Sequence, residues 1–109
     1  MKKIFIGFLL ACTAGLASAS YQTGKITSVI TRADGLVYLF IENGALRAGK
    51  PSCATSNYWM VRDENSQAGK NQLATLMTAY ATGATIAITG SGTCNRWSDG
   101  EDIFIIELK

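Results

Sequence analysis

Residues 73–89, LATLMTAYATGATIAIT, decide the fold that we expect of this chain. Four apolar residues recur there at the i, i+3, i+4, i+7 spacing that predicts one stripe of an amphipathic helix. They are Leu73, Leu76, Met77 and Tyr80. Gly83 stands where a glycine ends a helix. The β-branched run over residues 85–89 then predicts a strand, so one helix leads directly into one strand.

Four further strands are predicted around that stretch. They cover residues 24–31, 36–42, 57–62 and 103–108. Residues 43–52, between the second and third strands, are expected to form a loop. The order of three strands, one helix and two strands suits a five-stranded Greek-key barrel of the OB type, with its helix between the third and fourth strands. The chain is therefore predicted to be mainly β with one helix; a small α+β roll is the alternative.

The second and third predicted strands carry apolar residues on both faces. Residues 36–42 read LVYLFIE, without the alternation of a strand that has one wet face. In residues 57–62, Trp59 shares one face with Val61, and Tyr58 shares the other with Met60. Trp59 is expected in the core. The second face of residues 36–41, if the helix leaves it uncovered, is the expected contact between subunits.

The first nineteen residues have the layout of a bacterial secretory signal peptide. Lys2 and Lys3 precede an apolar run, and residues 17–19, Ala-Ser-Ala, match a signal peptidase site. The uncharged stretch 4–19 is shorter than the roughly 20 apolar residues of a membrane span. We therefore expect a single domain over residues 20–109, secreted or periplasmic after cleavage. The alternative is a lipoprotein anchored through Cys12, because residues 9–12 resemble a lipobox.

Cys53 and Cys94 are the two cysteines that remain after that cleavage. An even pair in an oxidising compartment predicts a disulfide. The loop that it closes, about 42 residues, corresponds to about 4 kcal/mol in the chain-entropy model. The sequence has no histidine with which the thiols could form a mixed metal site.

Charge and composition narrow the function. The formal net charge is +2, so loss of Lys2 and Lys3 leaves zero, and a neutral chain lacks the basic face that nucleic acid binding requires. Without histidine, Ser-His and Cys-His catalysis are unavailable, and we expect no enzyme, no cofactor and no metal site. The acidic residues of the last loop are interpreted as a solvated hairpin that deters edge aggregation. These are Asp99, Glu101 and Asp102.

Trp97 is the most informative binding candidate. It follows Asn95 and Arg96 in a polar loop, and an exposed indole among hydrogen-bonding groups suits sugar stacking or a protein contact. In the alternative interpretation, Trp97 folds back over the end of the barrel near Cys94. Asn95, Arg96, Trp97 and Tyr58 are the candidate ligand-binding residues.

The stretch from Ile26 to Gly90 resembles the B subunits of the subtilase-cytotoxin and pertussis-like AB5 toxins. The shared features are a Tyr-x-Phe-Ile strand, a Cys-Ala-x-Ser segment before an aromatic pair, a helix that ends Ala-Tyr-x-x-Gly, and a Thr-Ile-x-Ile strand. The residues are Tyr38, Phe40, Ile41, Cys53, Ala54, Ser56, Tyr58, Trp59, Ala79, Tyr80, Gly83, Thr85, Ile86 and Ile88. The resemblance implies an OB barrel, a homopentameric ring and glycan binding. Because residues 22–24 are Gln-Thr-Gly where those subunits carry a sugar-binding serine, no sugar-binding residue is carried over.

Together these observations predict an exported, non-enzymatic binding module. Its partner is a glycan or a protein, and it functions as a ring-forming subunit of the B type. The alternative is a monomeric periplasmic inhibitor or envelope-stress protein that inserts its loops into another protein's site.

Overall fold

A computed structural model describes residues 20–109; the predicted signal peptide and the lipobox lie outside the described residues. Within these residues, six strands and one helix follow each other. They are β1 (Tyr21–Thr31), β2 (Val37–Ile41), β3 (Arg47–Ala48), β4 (Trp59–Met60), α1 (Gln67–Thr82), β5 (Thr85–Gly90) and β6 (Glu101–Leu108).

Five of these strands close into a barrel. The order is β1–β2–β4–β6–β5 and back to β1. The β4–β6 pair is parallel and its neighbours are antiparallel. The parallel pair and the helix between β4 and β5 are features of an OB-like barrel, so the predicted fold class is confirmed.

The long strand β1 makes the closure possible, because it pairs with β2 along its second half and with β5 along its first. A bulge between Ile26 and Ser28 separates the two halves. Gly24 lies where β1 approaches β2 closely: a Cβ there would meet Ile41 Cγ2 at 2.7 Å. Glycine is therefore required at this corner of the barrel.

The strand β3 corrects the prediction of a continuous loop over residues 43–52. Arg47 and Ala48 pair with Gln22 and Tyr21 of β1. The Arg47 side chain is only 8% exposed because it forms an ion pair with Glu101 of β6. That contact holds the segment against the barrel, and it has no counterpart in local sequence pattern.

The interior of the barrel is an apolar cluster in which Trp59 is fully buried, as predicted. It contains Ile26, Val37, Leu39, Ile41, Trp59, Val61, Leu76, Ala79, Ile86, Ile88 and Ile103. The helix α1 closes one end of this cluster and packs against β1, β5 and β6.

The buried stripe of α1 differs from the predicted one. Met77 and Tyr80 are 45% and 46% exposed, whereas Gly69, Leu76 and Ala79 are buried. Leu76 and Ala79, three positions apart, pack into the core and turn Met77 and Tyr80 outward. Gly69 lies instead against the segment before the helix, where a Cβ would collide with Asp63 O. The predicted end of the helix is confirmed, because Gly83 caps it with φ 72°.

A second, smaller cluster lies on the outside of the barrel. Leu36, Tyr58 and Met60 are buried in it, and Tyr38 and Phe40 pack against it half-buried. These side chains occupy the outer face of β2 and β4, opposite the residues that enter the barrel. Within residues 20–109, no helix is both long and apolar enough to cross a membrane.

Candidate functional site

Trp97 lies at one end of that outer face with its indole 42% exposed. The guanidinium carbon of Arg32, in the turn between β1 and β2, stands 5.0 Å from the centre of the indole ring. Arg32 is also held by Asp34 at 2.7 Å across the same turn. The tryptophan is therefore presented at the surface with one side supported by a cation.

The loop over residues 91–100, which carries Trp97, wraps around a buried carboxylate. Asp102 is fully buried and accepts hydrogen bonds from Thr93 Oγ1 and Asn95 N at 2.8 Å, and from Arg96 N at 3.2 Å. Two backbone amides next to Trp97 are thus fixed by a single side chain. The loop is held from within, which limits the motion of the indole.

Glu101 fixes the start of the same loop. It is also fully buried, and it accepts from Arg47 Nη2 at 2.8 Å, from Gly92 N at 2.9 Å and from Ser20 Oγ. The interpretation of Glu101 and Asp102 as a solvated hairpin is wrong. Two adjacent buried carboxylates would be costly without hydrogen-bond donors. Here a hydroxyl and at least one loop amide donate to each of them, and Arg47 pairs with Glu101 alone.

Arg96 is committed to an ion pair. Its Nε and Nη2 donate to the two oxygens of Glu64 at 3.0 and 2.8 Å. The hydrogen bonds from Arg96 lower the pKa of Glu64, and those to Glu64 raise the pKa of Arg96. This bidentate contact ties the loop to the segment between β4 and α1, so Arg96 positions the loop and is not an open binding group. Asn95 is exposed beside it.

Tyr58 is buried, with 9% of the residue exposed. Its hydroxyl donates to Asp99, and burial together with this hydrogen bond raises the pKa of Tyr58. Asp99 also accepts from Ser56 Oγ at 3.0 Å. The hydrogen bonds from Tyr58 and Ser56 lower the pKa of Asp99. Tyr58 therefore anchors the loop to the outer face and offers its ring to neighbouring aromatics.

The predicted disulfide is confirmed, with the Cα atoms of Cys53 and Cys94 6.2 Å apart. It joins the loop between β3 and β4, residues 49–58, to the loop over residues 91–100. Both loops border the outer face of β2 and β4, so the disulfide holds together the two segments that frame it.

The structure gathers the predicted candidates into one region but assigns them different tasks. Trp97 and Asn95 are exposed, whereas Arg96 and Tyr58 hold the loop in place. Arg32 and Glu64 were not among the candidates. Each is an ordinary surface charge in its local sequence, and only the fold brings them to Trp97 and Arg96.

A flat ring of a ligand can stack on Trp97, and polar groups at the edge of that ring can form hydrogen bonds beside it. The loop that carries Trp97 is already ordered before a ligand binds. No family model matches this chain, and no curated protein matches it. The functional argument therefore rests on the geometry of the site.

Proposed function

We propose that this protein is a non-enzymatic binding module that recognises a glycan or a protein partner through the surface around Trp97. The single observation that carries the proposal is a tryptophan 42% exposed on a loop whose backbone is fixed by the buried Asp102. Burying an indole from a rigid loop gains apolar contact without a large ordering cost. Tryptophan and arginine are also the residues most enriched at the centres of binding surfaces.

Export supports this role. A signal peptide over residues 1–19 would deliver the domain to an oxidising compartment, and the Cys53–Cys94 disulfide is the cross-link expected there. We propose a secreted or periplasmic location on these two grounds.

The oligomeric state separates the two forms of the proposal. In a ring, one surface of each subunit meets a different surface of the next subunit, and the outer face of residues 36–41 is the expected contribution to that contact. Leu36 is buried there by neighbouring side chains, and Tyr38 and Phe40 remain half-buried. Native mass spectrometry of the exported protein distinguishes a pentamer from the monomer expected of an inhibitor.

A matched pair of variants tests the proposal. Tyr80 on α1 is 46% exposed, close to the 42% of Trp97, and it lies away from the loops. The full chain is expressed, exported and screened on a glycan array and by cross-linking to envelope proteins. We expect Trp97→Ala to lose the captured partner and Tyr80→Ala to retain it, with unchanged melting temperatures. A partner retained equally by both variants would refute the proposal.

A further inference from the structure

A polar cleft of about 420 Å³ lies at the other end of the outer face. Its volume is within the range of pockets that hold small ligands. The side chains important here are Ser28, Phe40, Glu42, Asn43, Arg47 and Asn57. They come from β1, β2, the turn after β2, β3 and the loop over residues 49–58. The disulfide-linked loop that contains Asn57 thus borders the cleft as well as the Trp97 surface.

The cleft offers hydrogen-bond donors and acceptors side by side. One oxygen of Glu42 accepts from Lys25 N at 2.8 Å, and Asn57 Oδ1 accepts from Lys50 Nζ at 3.0 Å. Arg47 lies over the Trp59 ring at 3.7 Å, and among the described residues its buried Nε has no hydrogen-bond partner. A ligand rich in hydroxyl groups, each both donor and acceptor, fits such a lining.

A row of three aromatic rings leads from the cleft along the outer face. Phe40, which lines the cleft, stands 6.1 Å from the Tyr58 ring, and Tyr58 stands 4.8 Å from Tyr38. The strand β1 runs beside this row, with Ser28 opposite Phe40 at the cleft. Four residues further along lies Arg32, under Trp97. At the rise of an extended strand this corresponds to about 14 Å.

The charges on this face disfavour an acidic ligand. The three arginines nearest the row each pair with a carboxylate. These pairs are Arg32–Asp34, Arg47–Glu101 and Arg96–Glu64. The carboxylate of Glu42 adds a negative group inside the cleft. An anion would meet the Glu42 carboxylate and no uncommitted guanidinium, and the Lys50 ammonium beside the cleft already donates to Asn57 Oδ1. A neutral polyol meets no such repulsion, and it can share the Lys50 and Asn57 groups through hydrogen bonds.

From these observations we infer that the ligand is a linear, uncharged oligosaccharide that lies along the outer face of β2, with one end stacked on Trp97 and the other in the cleft. This inference rests on the proposed function and names its ligand class. Ring faces of successive sugar units would lie on Tyr38 and Phe40, and hydroxyl groups at the far end would bind Glu42 and Asn57.

Length dependence is the direct test. Neutral di- and hexasaccharides of α-1,4-glucose, β-1,4-glucose and β-1,4-N-acetylglucosamine are titrated into the exported full-chain product, with calorimetry as the readout. A ligand that reaches both ends gains the contacts of both, so for one linkage we expect the hexasaccharide to bind at least about 30-fold more tightly than the disaccharide.

Variants then locate the two ends. Trp97→Ala and Asn57→Ala are each expected to weaken hexasaccharide binding about tenfold, the loss of one stacking or hydrogen-bonding contact. Glu42→Gln tests the cleft carboxylate, and Glu107→Gln on the exposed part of β6 is its control. Asn57 is an exposed residue, so Asn57→Ala is expected to keep the fold.

The outcomes separate this inference from the proposed function. Tighter binding of a hexagalacturonate than of the neutral sugars overturns the uncharged class. Equal affinity for di- and hexasaccharide, with the Trp97 effect retained, overturns the extended site and leaves the proposed function. No sugar binding at millimolar concentration, while a protein partner still requires Trp97, overturns the sugar class. Binding that ignores both Trp97 and Asn57 overturns the inference and the proposed function together.

Discussion

The two faces of β2 are stabilised in different ways. On the inner face, Val37, Leu39 and Ile41 enter a cluster formed by the barrel and one helix. On the outer face, Tyr38 and Phe40 remain half-buried against Tyr58. The same five residues thus contribute to a closed apolar core and to an open aromatic surface.

This difference shows which part of the small domain is stabilised by polar groups. The inner face is held by apolar burial, which is non-directional and needs no particular partner. The outer face is framed by two loops, which are held by Glu101, Asp102 and the disulfide. Buried carboxylates and a cross-link thus keep in place a surface that apolar contact alone leaves open.

The largest expected effect on the free energy of unfolding comes from Glu101, because its loss would release the loops that border the outer face. Glu101→Ala removes the acceptor of Arg47, Gly92 and Ser20 at once, and breaking a buried ion pair costs roughly 3–5 kcal/mol. We expect a value near the top of that range from urea unfolding. Glu101→Gln keeps the volume and one acceptor, and should cost less.

Glu107 provides the control on the same strand. Its side chain is exposed, and Glu107→Gln should change the free energy of unfolding by less than about 0.5 kcal/mol. If Glu101→Ala and Glu107→Gln behaved alike, the buried pair would not support the loops.

Removal of the disulfide tests the frame from its other side. Cys53 and Cys94 are 41 residues apart, and opening a loop of this length should cost about 4 kcal/mol. We expect the Cys53→Ser/Cys94→Ser protein to show a lower urea midpoint, and limited proteolysis to cleave first within residues 43–57 and 91–100. First cleavage within β5 would contradict the view that the disulfide acts on the outer loops.

A substitution on each face of β2 compares the two directly. Leu39 is fully buried inside, and Leu39→Ala should cost about 3 kcal/mol, within the usual range for a core leucine. Tyr38 is half-buried outside, so Tyr38→Ala should cost about 1 kcal/mol while it weakens ligand binding. Equal destabilisation by both variants would show that the outer cluster is a second core and not a binding surface.

The sequence was sufficient for the features that depend on local pattern. The helix between two groups of strands, its glycine cap, the cysteine pair and the opposite orientations of Trp59 and Tyr58 follow from periodicity and composition. Each of these was confirmed. The two aromatic orientations follow because a barrel buries one side of every strand.

Features set by distant contacts were not predictable. Arg47 and Glu101 are 54 residues apart, and nothing near either one indicates that the other neutralises it. Acidic residues before a strand usually face water, so Glu101 and Asp102 were assigned to the surface. The exposure of Met77 and Tyr80 depends on which side of α1 packs on the barrel, and the spacing of apolar residues alone does not define that side.

The smallest predicted effect is a pH dependence of the stability that Asp99 gives to the loops bordering the outer face. Asp99 accepts hydrogen bonds from Tyr58 and Ser56, which lower its pKa from the ordinary 3.8. A carboxylate with a lowered native pKa stabilises the fold above its unfolded pKa, and this stabilisation is lost as the pH falls through the native value. Asp99→Asn should therefore lower the melting temperature at pH 7 by a few degrees, and the difference from the wild type should shrink between pH 4 and pH 2. Asp63→Asn, at an exposed aspartate, is the control. A difference between wild type and Asp99→Asn that stays constant down to pH 2 would mean that the ionised form of Asp99 contributes nothing. Tyr58 would then stabilise the loop that carries Trp97 through the packing of its ring alone.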